Sequence, residues 1–431
     1  MRQSLSIRQS LSIALAYPGA SFLGVDLDTA AIAEGQRFNE SLRLENIRLC
    51  ASGNLRETVV GQTFDFIIAH GLFSWVDDAV REEILALVAE TLEPDGVAYL
   101  SYNCYPGWLA ASAIRDLFSL KTAPLRGVDR VRALRKQLAD FKDALPPDAP
   151  MMATLKHSEN MEDGHLAVEF FSGNCDPFYL SEFAGTLAAY GLEYLADAWP
   201  EKQFLEKLSN ESRAYVAEYS DNPILQLQMA DFLTNQQFRS SLIRKNSAPA
   251  CRPLAEIALA PLDLHYSIAV TIKGIEQAED QLTLNFADGN SVTVGSRFMD
   301  FFGTLEREWS ASAATLASQL DLDGKKDFAG LLRKLMSHGL LFPHLNPLQT
   351  APLDQERPAL SPMNRALAHH YSIVASEDLQ MGKIDFAEAS TRMDGKRSLS
   401  AIASLSGSSI ENLRAMVRQL AQSKVPQWTR D

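Results

Sequence analysis

Two short stretches hold side chains that can do chemistry. The first is His70-Gly71, which closes the apolar run Phe64-Asp65-Phe66-Ile67-Ile68-Ala69. The second is Tyr102-Asn103-Cys104-Tyr105-Pro106-Gly107-Trp108, which closes Gly96-Val97-Ala98-Tyr99-Leu100-Ser101. A histidine at a strand end can take a proton near neutral pH, or simply order its loop. Aromatic side chains crowded at a strand end exclude water and attract positive charge. The other reading is that Pro106-Gly107 makes a turn and the rings pack beneath it. A third position is Asp26, which ends Ala20-Ser21-Phe22-Leu23-Gly24-Val25. A carboxylate there suits two hydroxyl donors, or serves as a turn residue beside Asp28.

These positions need a scaffold, and the spacing supplies one. Between the two stretches, Val80, Ile84, Leu87, Val88 and Leu92 recur at helical spacing. Pro94-Asp95-Gly96 predicts a turn before the second run. Strand, helix, strand in so short a span is a βαβ unit, which demands a parallel sheet. Sites in such sheets lie beyond the carboxyl ends of the strands. Upstream, Asp28 caps a predicted helix with Ala31, Gly35, Phe38 and Leu42 on one face. Asn46 to Ala51 reads as a strand, followed by Ser52-Gly53-Asn54. Strand ends are thus expected near Asp26, Ala51, Ala69 and Tyr102, the alternation of a doubly wound α/β domain.

Those segments carry a resemblance. Tyr17-Pro18-Gly19-Ala20 through Gly24-Val25-Asp26, Phe64 through His70-Gly71-Leu72-Phe73-Ser74-Trp75-Val76, and Ser101 through Trp108 resemble class I S-adenosylmethionine-dependent methyltransferases. They are similar to the bacterial branch that carries a methyltransferase regulatory domain and includes protein-lysine methyltransferases. The resemblance continues through Glu169-Phe170-Phe171, Phe178 to Phe183, Gly191 to Ala198, Asp231-Phe232-Leu233 and Gln237 to Leu242. It implies a Rossmann-like fold with S-adenosylmethionine as cofactor. It implies that Asp26, with Leu27 beside it, meets the ribose hydroxyls. Ser52, Gly53 and Asn54 fall where the family contacts adenine, although a plain turn fits them equally. His70 and Gly71 face cofactor and substrate. Tyr102, Asn103 and Tyr105 are the expected catalytic positions, where a tyrosine accepts a hydrogen bond from an incoming amine. The expected substrate is a protein amine, a lysine, which must be neutral to react although its free pKa is about 10.4.

One family element is expected but not found. The first strand and its Gly-rich loop belong ahead of the helix at Ala14–Tyr17, yet no GxGxG occurs upstream of Asp26. In that place Arg2-Gln3-Ser4-Leu5-Ser6-Ile7 repeats as Arg8-Gln9-Ser10-Leu11-Ser12-Ile13. This reads as a helical extension, or as the mark of a start that has lost something upstream. The expectation is therefore a class I sheet lacking its first strand. The alternative function is a catalytically impaired remnant acting as a protein-interaction or regulatory protein.

Composition narrows the classes. A net charge of −14 argues against general nucleic-acid binding, which needs a basic surface. Cys50, Cys104, Cys175 and Cys251 form no CxxC pair, and His157 and His165 are isolated, so no metal ligand set is proposed. A reducing cytoplasm is the default, and no apolar run is long enough to span a membrane. The expected domains are 1–245, with a regulatory segment over about 125–245 roofing the substrate cleft, then a winged-helix-like module over 246–346. A proline-rich linker over 347–362 and a second helical module over 363–431 follow. Val131, Leu134, Leu138 and Phe141 predict one face of a helix. Phe178 to Tyr190 reads as a helix, and Phe238 to Ile243 reads as a last, edge strand.

Overall fold

The computed structural model describes residues 10–248 except 12 and 16, most of 264–344, and short stretches beyond. The chain divides into two compact units, residues 1–4 with 52–254 and residues 5–51 with 255–431. The segment expected as one domain over 1–245 is therefore shared between them.

In the unit containing residues 5–51, β1 (Phe22–Asp26) and β2 (Ile47–Ala51) form a two-stranded parallel sheet joined by α1 (Thr29–Leu42). Both strands stop where the sequence places their ends. The expected face of α1 is real: Ala31, Gly35 and Phe38 are buried, and Ile32 with them. Asp28 caps the helix by accepting from the Ala30 and Ala31 amides. Ser10, Leu11 and Ile13 to Leu15 are helical, with Leu11 and Ala14 fully buried against Phe38, Ile47 and Leu49. The described part of the second hexapeptide copy is thus helix, not strand. The first copy lies outside the described residues.

In the unit containing residues 52–254, a short α2 (Leu55–Val59) leads to β3 (Phe64–Ala69). Then come α3 (Asp78–Thr91) and β4 (Leu92–Asn103), the expected βαβ unit, with β3 and β4 parallel. Pro94-Asp95-Gly96 does not form a separate turn. It lies within β4 as an irregularity: Phe64 pairs with Leu92 but Phe66 with Val97, so the extra residues of β4 bulge out. Gly96 fits because a Cβ there would lie 3.0 Å from the Asp65 carbonyl oxygen.

Four helices follow: α4 (Trp108–Thr122), α5 (Gly127–Ala144), α6 (Met152–Asn160) and α7 (Asp163–Phe171). They share one core of Ile114, Phe118, Leu134, Leu138, Leu155, Leu166 and Phe170. The predicted face of α5 is the one it buries, Val131 and Phe141 less completely.

The chain then returns through α8 (Leu180–Ala188), β5 (Leu192–Asp197), α9 (Asn210–Ala217), α10 (Pro223–Thr234) and β6 (Phe238–Lys245). The sheet order is β3-β4-β6-β5, with β6 antiparallel to both neighbours. The edge assignment for Phe238–Ile243 is thus corrected: β6 is internal and β5 is the edge. The reason is Arg239, 1% exposed, whose guanidinium meets Asp231 at 2.7 and 2.9 Å and Asp197 at 3.1 Å. A charge can be buried there because two carboxylates match it.

The chain beyond residue 254 contributes β7 (His265–Ile268), β8 (Ile272–Ala278), β9 (Gln281–Phe286) and β10 (Ser291–Gly295). β9 and β10 form an antiparallel pair. After them come α11 (Met299–Glu308), β11 (Ser310–Ser312), α12 (Ala313–Ser318), α13 (Leu322–Ser337) and β12 (Leu341–His344). Phe328, Leu331, Leu332, Leu335 and Met336 are buried along one face of α13, and Gly339 follows at φ 66°. Most of 347–362 lies outside the described residues. In the expected module over 363–431, Leu413 and Val417 are fully buried.

Candidate functional site

The carboxyl ends of β3 and β4 carry the candidate residues of the first unit. His70 follows β3, and the pleat of its neighbour β4 turns Tyr99 and Ser101 to a common face. Its Nδ1 lies 3.0 Å from the Tyr99 hydroxyl and 3.3 Å from Ser101 Oγ. The Tyr99 hydroxyl donates to Ser240 Oγ at 3.0 Å, and the Gly71 amide donates to Ser101 Oγ at 2.7 Å. Gly71 has φ 62°, a backbone conformation that suits glycine. The Tyr99 and Ser101 hydroxyls together hold the ring through Nδ1. The imidazole is open to solvent at its edge, yet it packs against Tyr99 and Phe238. Burial by these neighbours lowers its pKa and favours the neutral ring.

Beyond β4 the chain is clamped to the turn between α10 and β6. Cys104 donates its amide to the Gln237 carbonyl, and Gly107 donates to that of Gln236. A Cβ at Gly107 would lie 2.5 Å from the Gln236 oxygen, so only glycine fits this approach. Asn103 is 5% exposed. Its amide donates to Ser74 Oγ at 2.9 Å, and its Nδ2 faces Cys175 Sγ at 3.9 Å. Tyr105 is half-buried and lies against Tyr179, with ring centroids 5.1 Å apart. Burial raises the pKa of its hydroxyl, and Tyr179, Cys175, Asp176 and Glu182 push it the same way.

Tyr102 sits elsewhere. It is 1% exposed, its ring is 4.2 Å from that of Phe183, and its hydroxyl meets Ser241 Oγ at 3.0 Å. Side chains alternate across a strand, so Tyr102 faces the core while Tyr99 and Ser101 share the other side. Its place is a packing position, and the candidate set therefore lacks it as a group open to substrate.

Ser52, Gly53 and Asn54 form a capping turn. Asn54 Oδ1 accepts the Glu57 amide at 3.2 Å, and Ser52 Oγ accepts the Asn54 amide at 3.1 Å. The alternative of a plain turn accounts for these contacts. Asp26 and Leu27 belong to the other unit. Asp26 Oδ1 accepts the Asp28 amide at 2.9 Å, and Leu27 is 75% exposed. Three contributors were not singled out from sequence: Tyr99, Ser101 and Ser240. The signal was there in the period-two alternation of Tyr99 and Ser101 across β4.

Residues 162–245 match the family model described as a predicted methyltransferase regulatory domain. The match begins within the segment expected from about residue 125, so α5 and α6 precede it. The chain is 19% identical to PKMT2 from Rickettsia typhi, solved in complex with AdoHcy. That likeness covers 96% of this chain and 91% of that one, with a TM-score of 0.80. The fold is that of a class I methyltransferase. A second structure of PKMT2 from Rickettsia typhi gives a TM-score of 0.77 over 99% of this chain and 93% of that one, again at 19% identity. Among curated proteins, an uncharacterized protein of Rickettsia prowazekii (strain Madrid E) is 30% identical over 241 residues, 54% of this chain and 43% of its own length. An uncharacterized protein of Synechocystis is 24% identical over 284 residues, 61% of this chain and 53% of its own. The chain thus spans about half the length of these two relatives. Among the described residues no helix is long and apolar enough to cross a membrane.

Proposed function

We propose that the chain transfers a methyl group from S-adenosylmethionine to a protein amine, a lysine. The observation that carries this is His70, held by Tyr99 and Ser101 at the carboxyl end of β3 in a class I methyltransferase fold. PKMT2 of Rickettsia typhi binds AdoHcy, which is what the cofactor becomes after giving up its methyl group; this supports the cofactor.

The residues fit this cofactor in part. Asp26 is a half-buried carboxylate at the end of a parallel strand, which suits ribose hydroxyls, with Leu27 available as apolar contact. When bound, the cofactor supplies an activated methyl on a sulfonium. The rest falls to the chain. A lysine must lose its proton before it attacks, and His70 Nε2 is suited to hold that proton. Asn103 has its backbone pinned by Ser74, which holds the loop that carries Tyr105. The Tyr105 hydroxyl accepts a hydrogen bond from the amine, and the aromatic walls keep water away. The impaired-remnant alternative draws on the missing GxGxG alone, and the His70 arrangement favours the enzyme.

The pH profile of methyl transfer tests this reading. A neutral His70 is needed, so the rate should fall as pH drops through the folded-state pKa of His70, which lies below the ordinary histidine value of about 6.5. His70→Gln should lose this acid limb and slow transfer by about 10²–10⁴-fold. An unchanged rate and profile would remove His70 from the chemistry. Asp26→Ala should weaken cofactor binding by about 1–3 kcal/mol in calorimetric titration, the cost of unpaired hydroxyl donors.

A further inference from the structure

Next to the loop after β4, three rings from three elements make a continuous aromatic ledge. Tyr105 comes from that loop, Tyr179 from the residue before α8, and Phe232 from α10. Tyr105 and Tyr179 have centroids 5.1 Å apart, and Tyr179 stacks on Phe232 at 5.8 Å with planes 9° from parallel. Buried aromatic rings need no ligand to explain them. Phe232, however, is 49% exposed, with Leu233 beside it at 44%. The two tyrosines are partly buried, so the strip ends in one ring open to water, and burying such a ring is worth about 2 kcal/mol.

The charge around the ledge is one-sided. Residues 172–190 and 220–236, which carry Tyr179 and Phe232, contain no lysine, arginine or histidine. Neither does the stretch from Ser101 to Ile114, which carries Tyr105. The nearby acids are Glu182, Asp176 and Asp231, the last two each paired with an arginine. Glu182 is exposed in the first turn of α8 and accepts the Tyr179 amide at 3.3 Å. Asp176 pairs with Arg81 at 2.9 Å, and that guanidinium is also bonded to Asp78 and so is already held between two carboxylates. Asp231 faces the buried Arg239. The ledge therefore offers ring faces and the Glu182 carboxylate, with no free cation on the segments that build it.

We propose that this ledge docks the side chain of a lysine presented by the protein substrate. The apolar stem lies along Phe232 and Tyr179, and the ammonium lies over a ring face near Glu182. This rests on the reading of the chain as an amine methyltransferase, and it adds where the amine-bearing side chain is received. Ring faces attract an ammonium and also accept a methylene stem, whereas a neutral or acidic side chain gains only the second contact. The exposed Glu182 carboxylate beside the rings selects the cation.

The test uses the full chain and two probes: a short neutral peptide carrying one lysine, and the same peptide with that lysine acetylated. Binding is followed through the ring-proton resonances of the ledge. The lysine peptide should bind more tightly than its acetylated form. Phe232→Leu, which keeps apolar bulk and removes the ring face, should weaken lysine-peptide binding by about 2- to 30-fold, the range for one cation–π contact. Glu182→Gln should weaken it further and lower its dependence on salt. Phe232 is half-exposed, so the leucine variant should unfold at the same urea concentration as the parent. Equal binding of the two peptides, or unchanged affinity in Phe232→Leu, overturns the proposal. Methyl transfer is measured in the same samples. Lysine-selective binding without transfer would keep the ledge and remove the catalytic reading. Transfer with an unchanged KM in Phe232→Leu would do the reverse.

Discussion

Strands β3 and β4 are parallel neighbours with similarly apolar sequences, yet they sit in different surroundings. β4 has a hydrogen-bonded strand on each side, and Ala98 and Leu100 are fully buried. β3 pairs, among the described residues, with β4 alone. Its Ile67 and Ala69 pack on the core of the first unit, while Phe66 is 73% and Ile68 61% exposed. An apolar run on both faces is the composition of a strand covered on both sides. The difference teaches that β3 has the composition of a strand covered on both faces, while among the described residues it pairs with β4 alone and keeps Phe66 and Ile68 exposed.

Breaking the closed side should cost most. Arg239→Met leaves Asp197 and Asp231 buried without their cation and should destabilise the chain by about 3–5 kcal/mol in urea unfolding. A cost below about 1 kcal/mol would mean that the three groups are not the lock between β5, β6 and α10. Leu100→Ala, in the middle of β4, should cost about 2–4 kcal/mol through lost burial and the cavity left behind. The open side should respond differently. Ile68→Ala should change stability by less than about 0.5 kcal/mol, as exposed positions do. If it costs as much as Leu100→Ala, that face of β3 is covered and the contrast fails.

The smallest effect concerns pH. The folded-state pKa of His70 is lowered, so the unfolded chain binds its proton more readily. The stability contributed by neutral His70 is present above about pH 6.5 and is lost as pH falls from there towards the lowered folded value. His70→Gln should flatten that part of the urea-midpoint curve.

Much of this arrangement is legible from local pattern, and the failures have physical causes. The ends of β1, β2 and β3 are readable because apolar runs stop at Asp26, Ala51 and Ala69. The place of β6 is not, because its burial depends on Arg239 meeting an acid 42 residues away, Asp197, as well as Asp231. The bulge at Pro94-Asp95-Gly96 is hidden for a similar reason: proline, aspartate and glycine signal a turn wherever they occur, and only the register with β3 shows that the strand continues through them. At the site, His70 is visible as a strand-end histidine, and its partners are not. Tyr102 looks as reactive as Tyr99 in the sequence, and only the side of the sheet separates them. The Asn54 position has the residue type for recognition, and the structure uses it as a cap.

The most direct measurement compares the chain with its His70→Gln variant. Each is incubated with S-adenosylmethionine and a lysine-containing protein acceptor, and the acceptor is weighed by mass spectrometry. The account predicts that the parent chain adds methyl groups to lysine and that the variant does so about 10²–10⁴-fold more slowly. A parent chain that leaves every lysine unmodified, or a variant that transfers at the parent rate, would contradict the proposed activity of the site.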